Sequence, residues 1–132
     1  MHPSELHARI AVHALIIEDD FLISELIQES LGELGYTSFD VAHREEEAVA
    51  LAEERCPELI TADGRLSDGS GVGAVRSICQ NRQIPVVFIT GDKSDIVQTV
   101  PDAVIVDKPF QSWDLKEAVG VALTRRITFR QM

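Results

Sequence analysis

Positive charge is in short supply. Lys and Arg total 12 against 22 Asp and Glu, a formal net charge of −10. Contacts to nucleic acid rest on clustered Lys and Arg set against phosphates, so no direct nucleic-acid partner is expected. Cysteine is scarce too. Cys56 and Cys79 are the only two, far apart and in no metal-ligand spacing. Both are read as reduced core or near-core residues of a cytoplasmic protein. No apolar run approaches the ~20 residues of a membrane span, which leaves no expected membrane partner. A signal-peptide pattern is missing as well: Met1 to Ala8 is polar, and the apolar stretch to Ile17 is interrupted by His13. His2, His7, His13 and His43 show no ligand spacing, and none is assigned to metal. There is no internal repeat and no low-complexity linker.

What remains is an ordinary globular composition, 45% hydrophobic and 26% charged over 132 residues. A chain of this size buries roughly two-thirds of its unfolded surface and folds without staples. The expected division is an N-terminal extension over 1–9, one domain over 10–128 and a tail over 129–132. Output is expected to come through a partner or a fused segment.

Hydrophobic spacing predicts alternating strands and helices. A first strand over 10–17 runs into Glu18-Asp19-Asp20, with Asp20 a candidate cap for a helix that ends at Gly35. A strand over 36–42 and a helix over 45–55, closed by Pro57, follow; Glu45-Glu46-Glu47 reads as a solvated helix start. A third strand over 59–62 ends at Asp63, and the loop 64–71 carries turn chemistry in Ser67-Asp68-Gly69. A helix is predicted over 72–79 and an apolar strand over 85–89, ending at Thr90-Gly91. Only Asp92 to Val100 is left as material for a fourth helix, stopped by Pro101 and predicted to be short or mobile. A fifth strand over 103–106 ends at Asp107-Lys108-Pro109. A last helix is predicted from Trp113 to about Phe129, with Ser112 as candidate cap and Trp113 assigned to packing. Arg125, Arg126 and Arg130 are expected to decorate that helix and the tail.

The strands are too apolar to have a wet face, which implies a parallel sheet between two helix layers. In such a sheet all carboxyl ends lie on one edge, where ligands bind. Glu18, Asp19, Asp63, Thr90 and Lys108 should therefore meet in one cleft. Several carboxylates at close quarters repel one another. A hard divalent cation such as Mg2+ (or Mn2+) relieves that repulsion with oxygen ligands. A cation, the Lys108 ammonium and the Thr90 hydroxyl together suit a phosphoryl group. In-line transfer of that group needs positioning and charge stabilisation more than acid–base work. A carboxylate nucleophile fits the same chemistry.

Four segments in this order resemble the receiver domains of response regulators in two-component signalling. They are Leu15-Ile16-Ile17-Glu18-Asp19-Asp20, Asp63-Gly64-Arg65-Leu66-Ser67-Asp68-Gly69, Pro85-Val86-Val87-Phe88-Ile89-Thr90-Gly91 and Asp107-Lys108-Pro109-Phe110. The resemblance covers about residues 10 to 128. It implies a flavodoxin-like receiver fold, a doubly wound five-stranded parallel sheet of order 2-1-3-4-5 with helices on both faces. It implies a stand-alone response regulator that is a signalling protein and not an enzyme. Asp63 would accept a phosphoryl group from a histidine kinase or histidine phosphotransferase. Asp19, Asp63 and the main-chain carbonyl of Arg65 would hold the metal, and Glu18 would act through a metal-bound water. Lys108 would pair with one phosphoryl oxygen and Thr90 would donate to another. The Lys108–Pro109 bond would be cis.

Three positions depart from the family pattern. Ile105 stands where receivers carry an aromatic three residues before the lysine, so the usual pairing of a moving threonine with a swinging ring cannot operate as such. Ser67 replaces a common proline, which implies a looser acceptor loop, and Gly91 replaces a frequent alanine, adding backbone freedom. The alternative function is a phosphorylation-independent interaction module with the same fold. A metal-dependent phosphatase of another α/β family is the third reading. It lacks a second catalytic acid two residues after Asp63, where Arg65 stands. In either of the first two readings the downstream partner is an unidentified protein.

Overall fold

The computed structural model describes residues 12–129. The expected extension over 1–9, the first two residues of the expected first strand, and Arg130 lie outside the described residues. Five parallel strands form one sheet: β1 (His13–Ile17), β2 (Ser38–Ala42), β3 (Leu59–Ala62), β4 (Val86–Thr90) and β5 (Val104–Asp107), in the order β2-β1-β3-β4-β5. The helices between and after them are α1 (Phe21–Glu33), α2 (Glu45–Glu54), α3 (Gly71–Ile78), α4 (Ser94–Thr99) and α5 (Ser112–Ala122). None of them is long and apolar enough to cross a membrane.

Successive strand residues point to opposite faces, and β1 divides its side chains accordingly. Ala14 and Ile16 join Ile27, Leu31, Leu115 and Val119 in the layer under α1 and α5. Leu15 and Ile17 join Ala48, Ala74, Val75, Phe88 and Ile96 in the layer under α2, α3 and α4. Burial on both faces explains why the strand sequences run almost unbroken in apolar residues. Register then sets the site: Ile17 pairs with both Ala42 and Ala62, and Thr90 pairs with Asp107. The residue after each of these positions therefore emerges on the same edge.

Local chemistry fixes the helix boundaries. Asp20 caps α1, its carboxylate accepting from the Ile23 N–H at 3.1 Å. Ser70 caps α3 in the same way through the Gly73 N–H at 3.1 Å, one residue earlier than the spacing predicts. α3 begins against the backbone at the end of β3. A Cβ at Gly71 would lie 1.7 Å from the carbonyl oxygen of Asp63, so only glycine fits. α4 is short, as expected from the few residues available before Pro101.

The last helix is shorter than predicted. It stops at Ala122, where the Thr124 hydroxyl turns back to donate to the Val121 carbonyl at 2.9 Å. Apolar residues beyond it serve a different purpose: Ile127 and Phe129 pack against the core layer under α2, α3 and α4. The Thr128 N–H donates to Asp102 at 3.2 Å, and Arg76 lies over the Phe129 ring at 5.6 Å from its centroid. Gln111, and not Ser112, is the cap residue of α5. Its N–H donates to Asp114 at 2.8 Å, while the Ser112 hydroxyl pairs with Ser30 at 2.8 Å. Trp113 is 66% exposed and takes no part in the core, which α5 enters through Leu115, Ala118, Val119 and Ala122. Cys56 is likewise exposed, beyond the end of α2, while Cys79 is half-buried; both thiols are free.

Candidate functional site

Every polar residue expected at the strand ends lies on this edge. Asp63 sits at the end of β3, its N–H donating to the Ile17 carbonyl at 2.9 Å. That bond ties Asp63 to the end of β1, so Glu18 and Asp19 emerge beside it. One carboxylate oxygen from each of Glu18, Asp19 and Asp63 lies within 4.8 Å of the other two. Lys108 follows β5, anchored by its own N–H donating to the Thr90 carbonyl at 2.9 Å. Its Nζ donates to Asp63 Oδ2 at 2.8 Å and lies 2.9 Å from Glu18 Oε1. The Lys108–Pro109 bond is cis.

Glu18 is only 1% exposed. Oε2 accepts from the Asp20 N–H at 3.1 Å. Oε1 lies 2.9 Å from the Lys108 ammonium as an ion pair, and no other donor reaches it among the described residues. Burial raises the Glu18 pKa, against the opposing pull of Lys108 and the Asp20 N–H. Burial also works to lower the Lys108 pKa, but the bonds and charges of Asp63 and Glu18 together outweigh it and hold the ammonium above its usual range. Asp19 goes the other way. The Ser67 hydroxyl, first, and the Ser67 N–H, donating to Asp19 Oδ2 at 2.6 and 2.8 Å, lower its pKa despite partial desolvation.

The donor set suits a hard divalent cation. It consists of oxygens alone, it carries three carboxylates against one ammonium, and the buried Glu18 Oε1 has Lys108 as its sole cationic neighbour among the described residues. Arg65 contributes backbone to the same loop: its N–H donates to Asp63 Oδ1 at 3.1 Å, and it bridges to Ser70.

Thr90 is buried at the end of β4 and near Gly64. Its hydroxyl is held by the backbone of Asp92, donating to the carbonyl and accepting from the N–H, each at 3.2 Å. The loop after Asp63, expected to be looser for having Ser67, carries bonds from that residue to Asp19. A proline there would have no N–H to donate to Asp19.

Two supporting residues escaped the sequence reading. His43 Nδ1 lies 3.0 Å from the Glu18 carbonyl oxygen; a carbonyl only accepts, so Nδ1 carries the proton. The signal was available, since the β1–β2 pairing of Ile17 with Ala42 sets Glu18 beside His43. Glu45, read as part of a solvated helix start, accepts from the Ser70 N–H at 2.8 Å and joins the start of α2 to the start of α3. His13, the polar interruption of the first strand, is buried between Ser38 and Asp40, each 2.9 Å from a ring nitrogen.

Comparison with known proteins gives the same family from two directions. Residues 14–120 match the family model described as the response regulator receiver domain. The phyllosphere-induced regulator PhyR of Methylorubrum extorquens is 36% identical over 123 residues, covering 90% of this chain and 46% of PhyR. The transcriptional regulatory protein PdtaR of Mycobacterium tuberculosis is 32% identical over 126 residues, covering 92% of this chain and 62% of PdtaR. The chain thus spans less than two-thirds of the length of either curated relative. Among solved structures, the PhyR response regulator REC domain of Erythrobacter litoralis superimposes with a TM-score of 0.77 at 30% identity, covering 90% of this chain and 95% of that one. The anti-anti-sigma factor PhyR of Bartonella quintana gives 0.71 at 35% identity, covering 92% and 51%.

Proposed function

The chain belongs to the response regulator receiver domain family, and from that premise we propose that Asp63 accepts a phosphoryl group from a phosphohistidine on a kinase or phosphotransferase partner. The reaction depends on Mg2+ or Mn2+ and makes the protein a signalling switch or phosphate shuttle. One observation carries this reading: the Asp63 carboxylate is gripped by Lys108 at 2.8 Å beside two further carboxylates, on the edge where five strands end.

An Asp63 oxygen attacks phosphorus as the P–N bond to the donor imidazole breaks, and the imidazole leaves with the electron pair. Transfer takes an oxygen of Asp63 away from Lys108, whose ammonium then pairs with a phosphoryl oxygen. Thr90 gives up its bond to the Asp92 carbonyl and donates to another phosphoryl oxygen. Glu18, Asp19, Asp63 and the carbonyl of Arg65 would hold the cation, which supplies neutralising charge for the anionic oxygens. His43 fixes the backbone of Glu18, and Ser67 fixes Asp19, so neither needs to reorganise.

Incubation with Mg2+ and acetyl phosphate should add one phosphoryl group, read by intact mass, and Asp63→Asn should abolish it. No labelling by any small donor or phosphohistidine partner would overturn the reading. The second reading, an interaction module indifferent to phosphorylation, is favoured by Ile105, which offers no ring to swing. It requires that Asp63→Asn leave partner binding unchanged. The B. quintana PhyR structure is described as an anti-anti-sigma factor, which supports a downstream protein partner under either reading.

A further inference from the structure

The segment after β4 is tied to the acceptor loop by contacts that do not pass through β5. Gly64 follows the acceptor Asp63, and a Cβ built on it would lie 2.9 Å from Ile96 Cδ1 of α4. Arg65 comes next. Its Nε donates to Asp95 at 3.0 Å, and its Nη2 donates to Asp95 at 2.8 Å and to Asp92 at 3.4 Å. Asp92 is also held by the Thr90 hydroxyl. Ser94 in turn is fastened to Asp92 by its N–H and its hydroxyl at 3.0 and 2.7 Å. The start of α4 thus hangs from two side chains, Thr90 and Arg65, both beside Asp63.

We propose that Arg65 is a latch, clamping the start of α4 through Asp95 and Asp92 until a phosphoryl group on Asp63 draws its guanidinium away and frees α4. This rests on the phosphoacceptor reading above. It assigns the outgoing signal to α4 and leaves β5 position 105 a packing role, which removes the need for a ring there.

Relative strength decides the exchange. The Arg65 side chain is 65% exposed, and Asp92 and Asp95 are 51% and 54% exposed. Ion pairs so open to water are individually weak. A phosphoryl group brings about −1.5 to −2 charges and three strong acceptor oxygens, which a guanidinium can engage in a fork. Those oxygens would sit two residues from Arg65, beside the Thr90 hydroxyl. Thr90 turning toward them loosens Asp92 from the other side. α4 has little to resist with: it spans six residues, has no side-chain cap at Lys93, and buries only Ile96.

The test is hydrogen exchange over residues 92–100 in wild type, Arg65→Ala and Asp95→Asn, each without ligand and with Mg2+ plus beryllium fluoride. Without ligand, both variants should exchange about two- to fivefold faster than wild type, the factor one exposed ion pair supports. With beryllium fluoride, wild type should rise to the variants' rate and the variants should change little. Basal rates equal to wild type in both variants would overturn the latch, as would a full wild-type increment in Arg65→Ala. Intact-mass labelling by acetyl phosphate on the same preparations separates the two failures. An unlabelled wild type sinks the phosphoacceptor reading, and a labelled one with an unresponsive α4 sinks the latch alone.

Discussion

Removing the Lys108 ammonium should cost stability in a way that depends on pH. Lys108→Met keeps most of the aliphatic stem and deletes the only cation that contacts Glu18 and Asp63 among the described residues. Breaking a buried pair from one side typically costs 3–5 kcal/mol, because the partner charge stays buried alone. Here the Lys108 and Asp63 side chains keep 20% and 11% of their exposure while Glu18 keeps 1%, so the site is part-wet. A loss of about 2–4 kcal/mol at pH 8 is expected, roughly 1–2 M off the urea midpoint. Acid offers an escape. Burial already holds the Glu18 carboxyl above its ordinary 4.5, and losing Lys108 removes an attraction that opposes this. A carboxyl whose folded pKa is raised binds its proton more tightly in the fold. Its stabilising effect is full below 4.5 and is lost as pH rises to the folded value. The raised Lys108 pKa keeps the wild-type contribution constant until pH climbs past 10.5, so wild type has no matching slope near neutrality from this group. The gap between the two proteins should therefore be narrower near pH 5 than at pH 8. Mg2+ at pH 8 should narrow it. Urea unfolding followed by circular dichroism measures it, and a gap as large at pH 5 as at pH 8 would refute the reasoning.

Other perturbations test other contacts. Gly71→Ala places a methyl 1.7 Å from the Asp63 carbonyl oxygen, so α3 must shift. A loss of about 3 kcal/mol or more is expected, near 12 °C in melting temperature, with phosphoryl labelling slowed in step. Ser67→Ala removes the hydroxyl that holds the Asp19 carboxyl below 3.8. A lowered carboxyl contributes stability above its unfolded pKa and loses it as pH falls through the folded one, so the variant should be weaker than wild type at pH 7 and the gap should close as pH falls below 3.8. Carboxyl NMR should show the Asp19 titration moving up. Phe129→Ala takes away the ring under Arg76 and should speed amide exchange at residues 125–129 without altering labelling of Asp63.

The sheet was legible because parallel strands buried on both faces cannot hide their composition. Runs such as Val86-Val87-Phe88-Ile89 admit few other placements, and their carboxyl ends then carry Asp63, Thr90 and Lys108 to one edge whatever their separation in sequence. Sequence spacing could not show which face an isolated apolar residue takes. Phe21, Leu22 and Leu26 fall at helical spacing with Ile27 and Leu31, but α1 buries Ser24, Ile27, Ser30 and Leu31 instead. Two serines can face inward because each hydroxyl finds a partner, Ser24 the Phe21 carbonyl and Ser30 the Ser112 hydroxyl. The end of α5 was misread for the same reason. Ile127 and Phe129 continue a helical pattern on paper, yet their burial is against the opposite core layer, reached by leaving the helix.

Side-chain chemistry at a loop is harder still to foresee, since it depends on which donor happens to face which acceptor. Ser67 illustrates the point. Compared with the family's proline it removes a rigid ring, and rigidity alone argues for a freer loop. The structure replaces that rigidity with two short bonds to Asp19, each aimed at the same carboxylate oxygen. Holding Asp19 through charge-assisted bonds makes loop order and carboxylate charge one variable: protonating Asp19 weakens the loop, and loosening the loop raises the Asp19 pKa. Arg65 repeats the arrangement on the other side of Asp63, with loop order tied to Asp92 and Asp95. Asp63 is thus flanked by two electrostatic ties where a proline and an aromatic ring would have served by shape. Ties of that kind respond to added negative charge directly, with no need for a core side chain to repack.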